Sequence, residues 1–117
     1  MPKTLKDDLE AVDKLDIDNI YITLGLKCNV SKEFLRIALA NTLLFDRKQQ
    51  DYGPTSIAKF GIPGVIIRSS DKFERIATLF KANRKKPANE KLEDTYRDIA
   101  VYQQIILTII QGKWPGL

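Results

Sequence analysis

Apolar residues recur along this chain at spacings of three and four, which is the spacing of one helix face. The pattern predicts a short amphipathic helix over residues 4–14 and longer helices over 32–50, 64–82 and about 89–111. The last of these is polar at first and then apolar on almost every side. A helix of that kind is usually buried centrally or shared with another subunit. The pattern therefore predicts an all-α protein that assembles as a homo-oligomer rather than a monomer.

Residues that start and stop helices divide the predicted elements. Ser31 is typical of an N-cap for the 32–50 helix, and Gly53 and Pro54 end that helix. Thr55 or Ser56 is expected to cap a short helix through Lys59, closed by Gly61 and Pro63. The connection ANRKKPANE follows the 64–82 helix. Short connections of this kind favour antiparallel neighbours.

The stretch DNIYITLGLKCNV, residues 18–30, is ambiguous at this level. Its β-branched residues favour a strand, but an isolated strand has no partner in a helical chain. We interpret it as irregular structure or a short arm between subunits. The fold class is thus an all-α bundle of about four helices in one domain over 1–117. Residues 1–30 form its N-terminal helix and arm, and residues 31–117 form the helical core that carries the candidate site.

Composition excludes several kinds of chemistry. The chain of 117 residues has no histidine and one cysteine, Cys28, so a histidine base, a histidine-ligated zinc and an internal disulfide are excluded. The first residues lack the apolar segment of a signal peptide, and no apolar run is long enough to cross a bilayer. We therefore expect a cytoplasmic protein with no membrane partner.

Charge is distributed unevenly along the chain. Residues 1–53 contain 8 basic and 9 acidic groups, a net of −1, whereas residues 54–117 contain 11 and 6, a net of +5. A basic excess is compatible with an anionic small molecule and also with nucleic acid.

The same basic half contains two acidic pairs on successive predicted helices. Asp71 and Glu74 are three apart, and Asp94 and Asp98 are four apart, so each pair shares one helix face. If the two helices pair antiparallel, four carboxylates converge, and a divalent cation would neutralise their repulsion. This indicates a Mg²⁺ site for phosphate chemistry. The alternative is that these residues are solvated charges paired with local arginines, which is the commoner case for an arbitrary helix pair.

The segment RKQQDYGPTSIAKFG combines aromatic and basic residues around glycines. Tyr52 and Phe60 alternate with Lys48 and Lys59, as expected where bases stack on rings and lysines contact phosphates. The competing interpretation is a helix stop whose aromatics fill the core. A third constellation, the basic stretch KANRKKP, would suit nucleic acid, although no DNA-reading motif accompanies it.

The segments DYGPTSIAKFG, GVIIRSSDKFERIATLF and EKLEDTYRDIAVYQQIIL carry a resemblance. They resemble the nucleotide-modification-associated domain family of phages and bacteria, a branch similar to the MazG-like all-α nucleoside triphosphate pyrophosphohydrolases. The resemblance covers Lys48 to about Trp114. It implies a Mg²⁺-dependent hydrolase that cleaves a nucleotide between its α- and β-phosphates and works as a dimer or a tetramer, in the host cytoplasm if phage-encoded. The family pairs are E-x-x-E and E-x-x-D, so Asp71 replaces a glutamate and Asp94 is four rather than three residues before Asp98.

Carried onto this chain, the hypothesis gives each residue a role. Asp71, Glu74, Asp94 and Asp98 are the expected Mg²⁺ ligands, and Glu74 or Glu93 is the expected proton acceptor in catalysis. The expected nucleotide-binding residues are Lys48, Asp51, Tyr52, Lys59, Arg68, Lys72, Arg75 and Tyr102. Two other functions stay open: a protein that binds a nucleotide or nucleotide-derived signal without cleaving it, and a small basic adaptor for nucleic acid.

Overall fold

The computed structural model of the chain describes residues 3–82 and 90–117. These residues form six helices and no strand, so the predicted all-α class is confirmed. The chain divides into two units, Met1–Asp46 and Arg47–Leu117, here called the N-terminal and C-terminal units. Within the described ranges, no helix is long and apolar enough to span a membrane.

The N-terminal unit contains α1 (Leu5–Val12), α2 (Ile17–Thr23) and the first part of α3 (Val30–Tyr52). A capping box starts α1: the Thr4 hydroxyl accepts from the Asp7 backbone N–H, and the Asp7 carboxylate accepts from the Thr4 backbone N–H at 2.9 Å. Reciprocal bonds of this kind satisfy two backbone donors that a helix start leaves free.

Ion pairs connect the helices of this unit. The Arg36 guanidinium of α3 donates from Nε and Nη2 to both carboxylate oxygens of Asp13, the residue after α1, at 2.8 and 2.9 Å. Lys32 of α3 lies 3.0 Å from a carboxylate oxygen of Asp18 in α2, and its ammonium lies 4.8 Å from the centre of the Tyr21 ring.

Two predictions for this unit are wrong. Residues 18–23 of the ambiguous stretch lie in α2 rather than in irregular structure, because the Asp16 side chain caps the helix by accepting from the Asn19 N–H at 3.0 Å, and only residues 24–29 lie between helices. That local hydrogen bond outweighs the β-branched composition of the segment. Ser31 is not an N-cap, because α3 already begins at Val30.

The C-terminal unit contains the end of α3, then α4 (Pro54–Ile57), α5 (Gly61–Ala82) and α6 (Glu90–Ile110). The predicted caps of the short helix are wrong: Gly53 precedes α4 with φ 74°, and no side chain caps it. Gly61 and Pro63 do not close that helix but open α5. Proline is tolerated there because the first helical turn needs no backbone N–H donor.

The core of the C-terminal unit lies along α5 and α6, which pack against each other. Its buried apolar side chains are Ala58, Val65, Leu92, Val101, Ile105 and Trp114. A hydrogen bond of 2.9 Å from the Gln103 amide to the Ser69 hydroxyl joins the two helices beside this core. The predicted burial of the last helix is thus confirmed for one face, whereas Tyr96, Leu107 and Ile110 of α6 are exposed.

Candidate functional site

Three helices of the C-terminal unit bring two lysines and one aspartate together. The Lys48 ammonium, at the end of α3, donates to Asp98 Oδ1 at 2.8 Å. The Lys72 ammonium of α5 lies 3.0 Å from Asp98 Oδ2. Asp98 itself is on α6. We call these three residues the Lys48–Asp98–Lys72 cluster.

The charges of this cluster do not balance. Two ammonium groups face one carboxylate, which leaves a net charge of +1. The Asp98 side chain is only 12% exposed, whereas those of Lys48 and Lys72 are 40% and 28% exposed. Each ammonium has three N–H donors, so donors remain for a solvent-borne anion. A ligand can therefore reach the ammonium groups of Lys48 and Lys72 more easily than the Asp98 carboxylate.

Two contacts fix the relative direction of α5 and α6. Lys72 of α5 contacts Asp98, and Ser69 of α5 contacts Gln103, which lies farther along α6. The two helices therefore run in opposite directions. After α6, the Trp114 indole N–H donates to the Pro54 carbonyl at the start of α4 at 3.0 Å.

This arrangement places two predicted nucleotide-binding residues, Arg68 of α5 and Tyr102 of α6, one turn from the cluster in the same direction. Tyr52 follows Lys48 by four residues, Tyr102 follows Asp98 by four, and Arg68 precedes Lys72 by four. One helical turn is about 5.4 Å. Tyr52 is 70% exposed, Arg68 is exposed and Tyr102 is half-buried. Tyr102 and Arg68 thus lie on the helical turns next to Asp98 and Lys72, and Tyr52 lies one turn after Lys48 on α3.

The four predicted metal ligands do not share one environment. Asp71, Glu74 and Asp94 are exposed, whereas Asp98 is nearly buried and is paired with lysines. Glu93, the other predicted catalytic carboxylate, is exposed as well. In residues 3–82 and 90–117 there is no group of three or more carboxylate or cysteine side chains placed to hold a metal ion. Asp98 is held by two ammonium groups, so a Mg²⁺ ion bound to Asp98 would have to displace at least one of them.

The remaining predicted residues lie outside the cluster. Asp51, Lys59 and Arg75 are exposed, and the Lys59 ammonium lies 5.6 Å from the centre of the exposed Phe60 ring. Of the basic stretch KANRKKP, only Lys81 and Ala82 lie within the described residues.

A separate cleft lies beyond the C-terminal end of α6. Its volume is about 250 Å³, and the buried Trp114 forms part of its wall together with Pro54, Ala58 and Lys59. Trp114 thus both packs within the C-terminal unit and borders this cleft.

The sequence predicts Asp98 as a metal ligand and the two lysines as phosphate ligands, but it does not predict that they pair with one another. The sequence feature that indicates a cation next to Asp98 is its position directly before the apolar run IAVY, where an unpaired carboxylate is costly. That cost is relieved by any cation, and the sequence did not distinguish a metal from lysine.

Comparison with protein-family models, with characterised proteins and with solved structures gives no match to this chain.

Proposed function

We propose that this protein binds a phosphate-bearing small molecule of the nucleotide class through the Lys48–Asp98–Lys72 cluster, without a metal ion. The single observation that carries the proposal is the charge of the cluster: two partly exposed ammonium groups share one nearly buried carboxylate. Phosphate oxygens would accept from the remaining N–H donors of both lysines. Charge-assisted hydrogen bonds of this kind are about twice as strong as neutral ones.

The residues one helical turn from the cluster favour a nucleotide over free phosphate as the ligand. Tyr52 and Tyr102 offer rings on which a base can stack, and Arg68 adds a further cation for a second phosphate group. Asp98 is not a ligand of the anion in this proposal, because its carboxylate neutralises only one of the two ammonium charges.

Calorimetric titration of the full chain with nucleoside mono-, di- and triphosphates, with and without Mg²⁺, tests this function. We expect binding that does not require Mg²⁺ and that weakens at least ~10-fold in Lys48→Ala/Lys72→Ala, since each lost charged hydrogen bond is worth ~1.5–3 kcal/mol. The matched control is Lys27→Ala, which removes an exposed lysine of the N-terminal unit and should leave the affinity unchanged. Equal binding by both variants would refute the proposal.

The second candidate is the Mg²⁺-dependent pyrophosphohydrolase. Its support is the set of exposed carboxylates Asp71, Glu74, Glu93 and Asp94 on α5 and α6, two helices that pack against each other. Release of pyrophosphate and a monophosphate from any nucleotide, lost in Glu74→Gln, would favour this enzyme over a protein that only binds.

The substitution Asp98→Asn separates the two candidates. As a metal ligand, Asp98 is essential, so its neutralisation would abolish both Mg²⁺ binding and activity. In the anion-binding proposal, the cluster changes from a net +1 to +2, so affinity for a phosphate-bearing ligand is retained or increased. Circular dichroism of the variant establishes that its helices are intact before either result is interpreted.

A further inference from the structure

The cleft beyond the end of α6 is lined by residues of the segments 54–59 and 114–117, and we call it the Trp114 cleft. Trp114 is only 4% exposed, and its indole N–H donates to the Pro54 carbonyl at 3.0 Å. Because this N–H is the only donor of the indole and is already used, the ring offers a ligand only apolar surface. The side chains of Pro54 and Ala58 extend that surface. The body of a fitting ligand is therefore apolar.

A turn at the end of α6 places Trp114 at the cleft. Gly112 has φ 70°, and its N–H donates to the Ile109 carbonyl at 2.9 Å, while the Lys113 N–H donates to the Thr108 carbonyl at 3.2 Å. This pair of hydrogen bonds is the Schellman motif, which needs a residue with positive φ after the helix. The chain therefore reverses directly before the tryptophan.

A second turn follows at once. The Leu117 N–H donates to the Trp114 carbonyl at 3.3 Å, and Gly116 between them has φ 79°. Proline and then glycine at the two central positions, here Pro115 and Gly116, are typical of a type II turn. Both turns are held by backbone hydrogen bonds, so this wall of the cleft is formed before any ligand binds.

The charge of the cleft comes from Lys59. Its side chain is exposed, and its ammonium lies 5.6 Å from the centre of the Phe60 ring. In residues 3–82 and 90–117, Lys59 forms no ion pair. None of the described residues that line the cleft is acidic, and the Thr55 hydroxyl adds a further donor. These groups repel a cation and match an anion.

The volume of the cleft limits the size of its ligand. It is about 250 Å³. An apolar cavity of about 150 Å³ holds one benzene molecule, and pockets for drug-sized ligands begin at about 300 Å³. The Trp114 cleft therefore has room for one ring with a short side chain.

We propose that the Trp114 cleft binds a small aromatic carboxylic acid, with its ring against Trp114 and its carboxylate at Lys59. Aromatic rings pack on an indole in offset or edge-to-face geometry, and the exposed ammonium forms an ion pair with the acid. The site is separate from the Lys48–Asp98–Lys72 cluster, because none of those three residues lines the cleft. The two proposals therefore stand or fall independently.

Fluorescence of the full chain tests this site directly, because Trp114 is the only tryptophan in the sequence. The probes are phenylacetate, its neutral counterpart phenylacetamide and the cation phenethylamine. We expect a saturable change with phenylacetate at a Kd on the order of 1 mM, as is usual for so small a ligand. Phenylacetamide should bind about 3-fold more weakly at low salt, because an exposed ion pair contributes modestly, and phenethylamine should bind most weakly. A response that does not saturate, or equal binding of acid and amide, would overturn the proposal.

Substitutions of lysine test the assigned role of the ammonium. Lys59→Met keeps the length of the side chain and should abolish the preference for phenylacetate over phenylacetamide without weakening the amide. Lys59→Glu should reverse the order, so that phenethylamine binds more tightly than phenylacetate. The matched control is Lys113→Met, which removes an exposed lysine directly before Trp114 that does not line the cleft, and it should retain the preference. An unchanged preference in Lys59→Met, or the same loss in Lys113→Met, would reject the proposed site.

Discussion

In the N-terminal unit, ion pairs near the surface connect the helices, whereas in the C-terminal unit α5 and α6 enclose an apolar core. Asp13 and Asp18 of the N-terminal pairs are 51% and 74% exposed. In the C-terminal unit, Val65 and Leu92 are fully buried, and the paired Asp98 is 12% exposed. An ion pair in water contributes little to the free energy of unfolding. Beside an apolar core, removing one partner of an ion pair costs more, because the other charge is left buried and unpaired.

The largest expected effect is on the core of the C-terminal unit. Leu92→Ala should lower the free energy of unfolding by ~2–5 kcal/mol, because it removes buried methyl groups and leaves a cavity. Urea denaturation followed by circular dichroism measures this loss. The control Leu107→Ala truncates a leucine of the same helix that is 60% exposed, and its effect should stay within ~0.5 kcal/mol. Equal losses would mean that α6 does not bury its Leu92 face in solution.

The second-largest expected effect is on stability, when each of two carboxylates that pair with basic groups, Asp98 and Asp13, is removed. Asp98→Ala should cost ~1–3 kcal/mol, because it leaves two partly buried ammonium groups without a counter-charge. Asp13→Ala removes one of the two carboxylate partners of Arg36, the other being Glu33, and should cost less, since the guanidinium keeps Glu33 and is accessible to water. Thermal unfolding at low salt and at ~0.5 M salt distinguishes the sites, because exposed pairs are screened at a Debye length of about 4 Å. Loss of the Asp98 effect in salt would contradict the assigned difference in burial.

The smallest effect concerns the acid sensitivity of α1. Hydrogen bonds from the backbone N–H and the hydroxyl of Thr4 hold the pKa of Asp7 below its ordinary value of 3.8. A depressed pKa in the folded state contributes stability above the unfolded pKa, and that stability is lost as pH falls through the folded value. Residue-resolved NMR between about pH 5 and pH 2 should therefore show the first turn of α1 loosening at the acidic end. Asp7→Asn should remove this pH dependence, and an unchanged profile would exclude the capping box as its cause.

Sequence periodicity was sufficient for the all-α class and for the approximate bounds of α1, α3, α5 and α6, because a buried helix face must repeat every three to four residues. Periodicity was insufficient where a single side chain decides the start of a helix against the average preference of the residues around it. Asp16 caps α2 against a β-branched background, and Pro63 opens α5 although it was expected to close the helix before it. At both positions, the helix begins where it does because of the backbone N–H groups of the first turn, which either find a side-chain acceptor or need none.

The sequence by itself determined that Asp98 needs a cation, because a carboxylate beside an apolar run cannot be left unpaired. Only the tertiary structure decided that Lys48 and Lys72, 50 and 26 residues away along the chain, supply it. The same division applies to α5. Its apolar residues are visible in the sequence, but packing against α6 decides that Val65 is buried whereas Ile66 and Phe73 stay exposed. Local pattern specifies which faces must be covered, and the choice of partner depends on the long-range contacts that the folded chain makes.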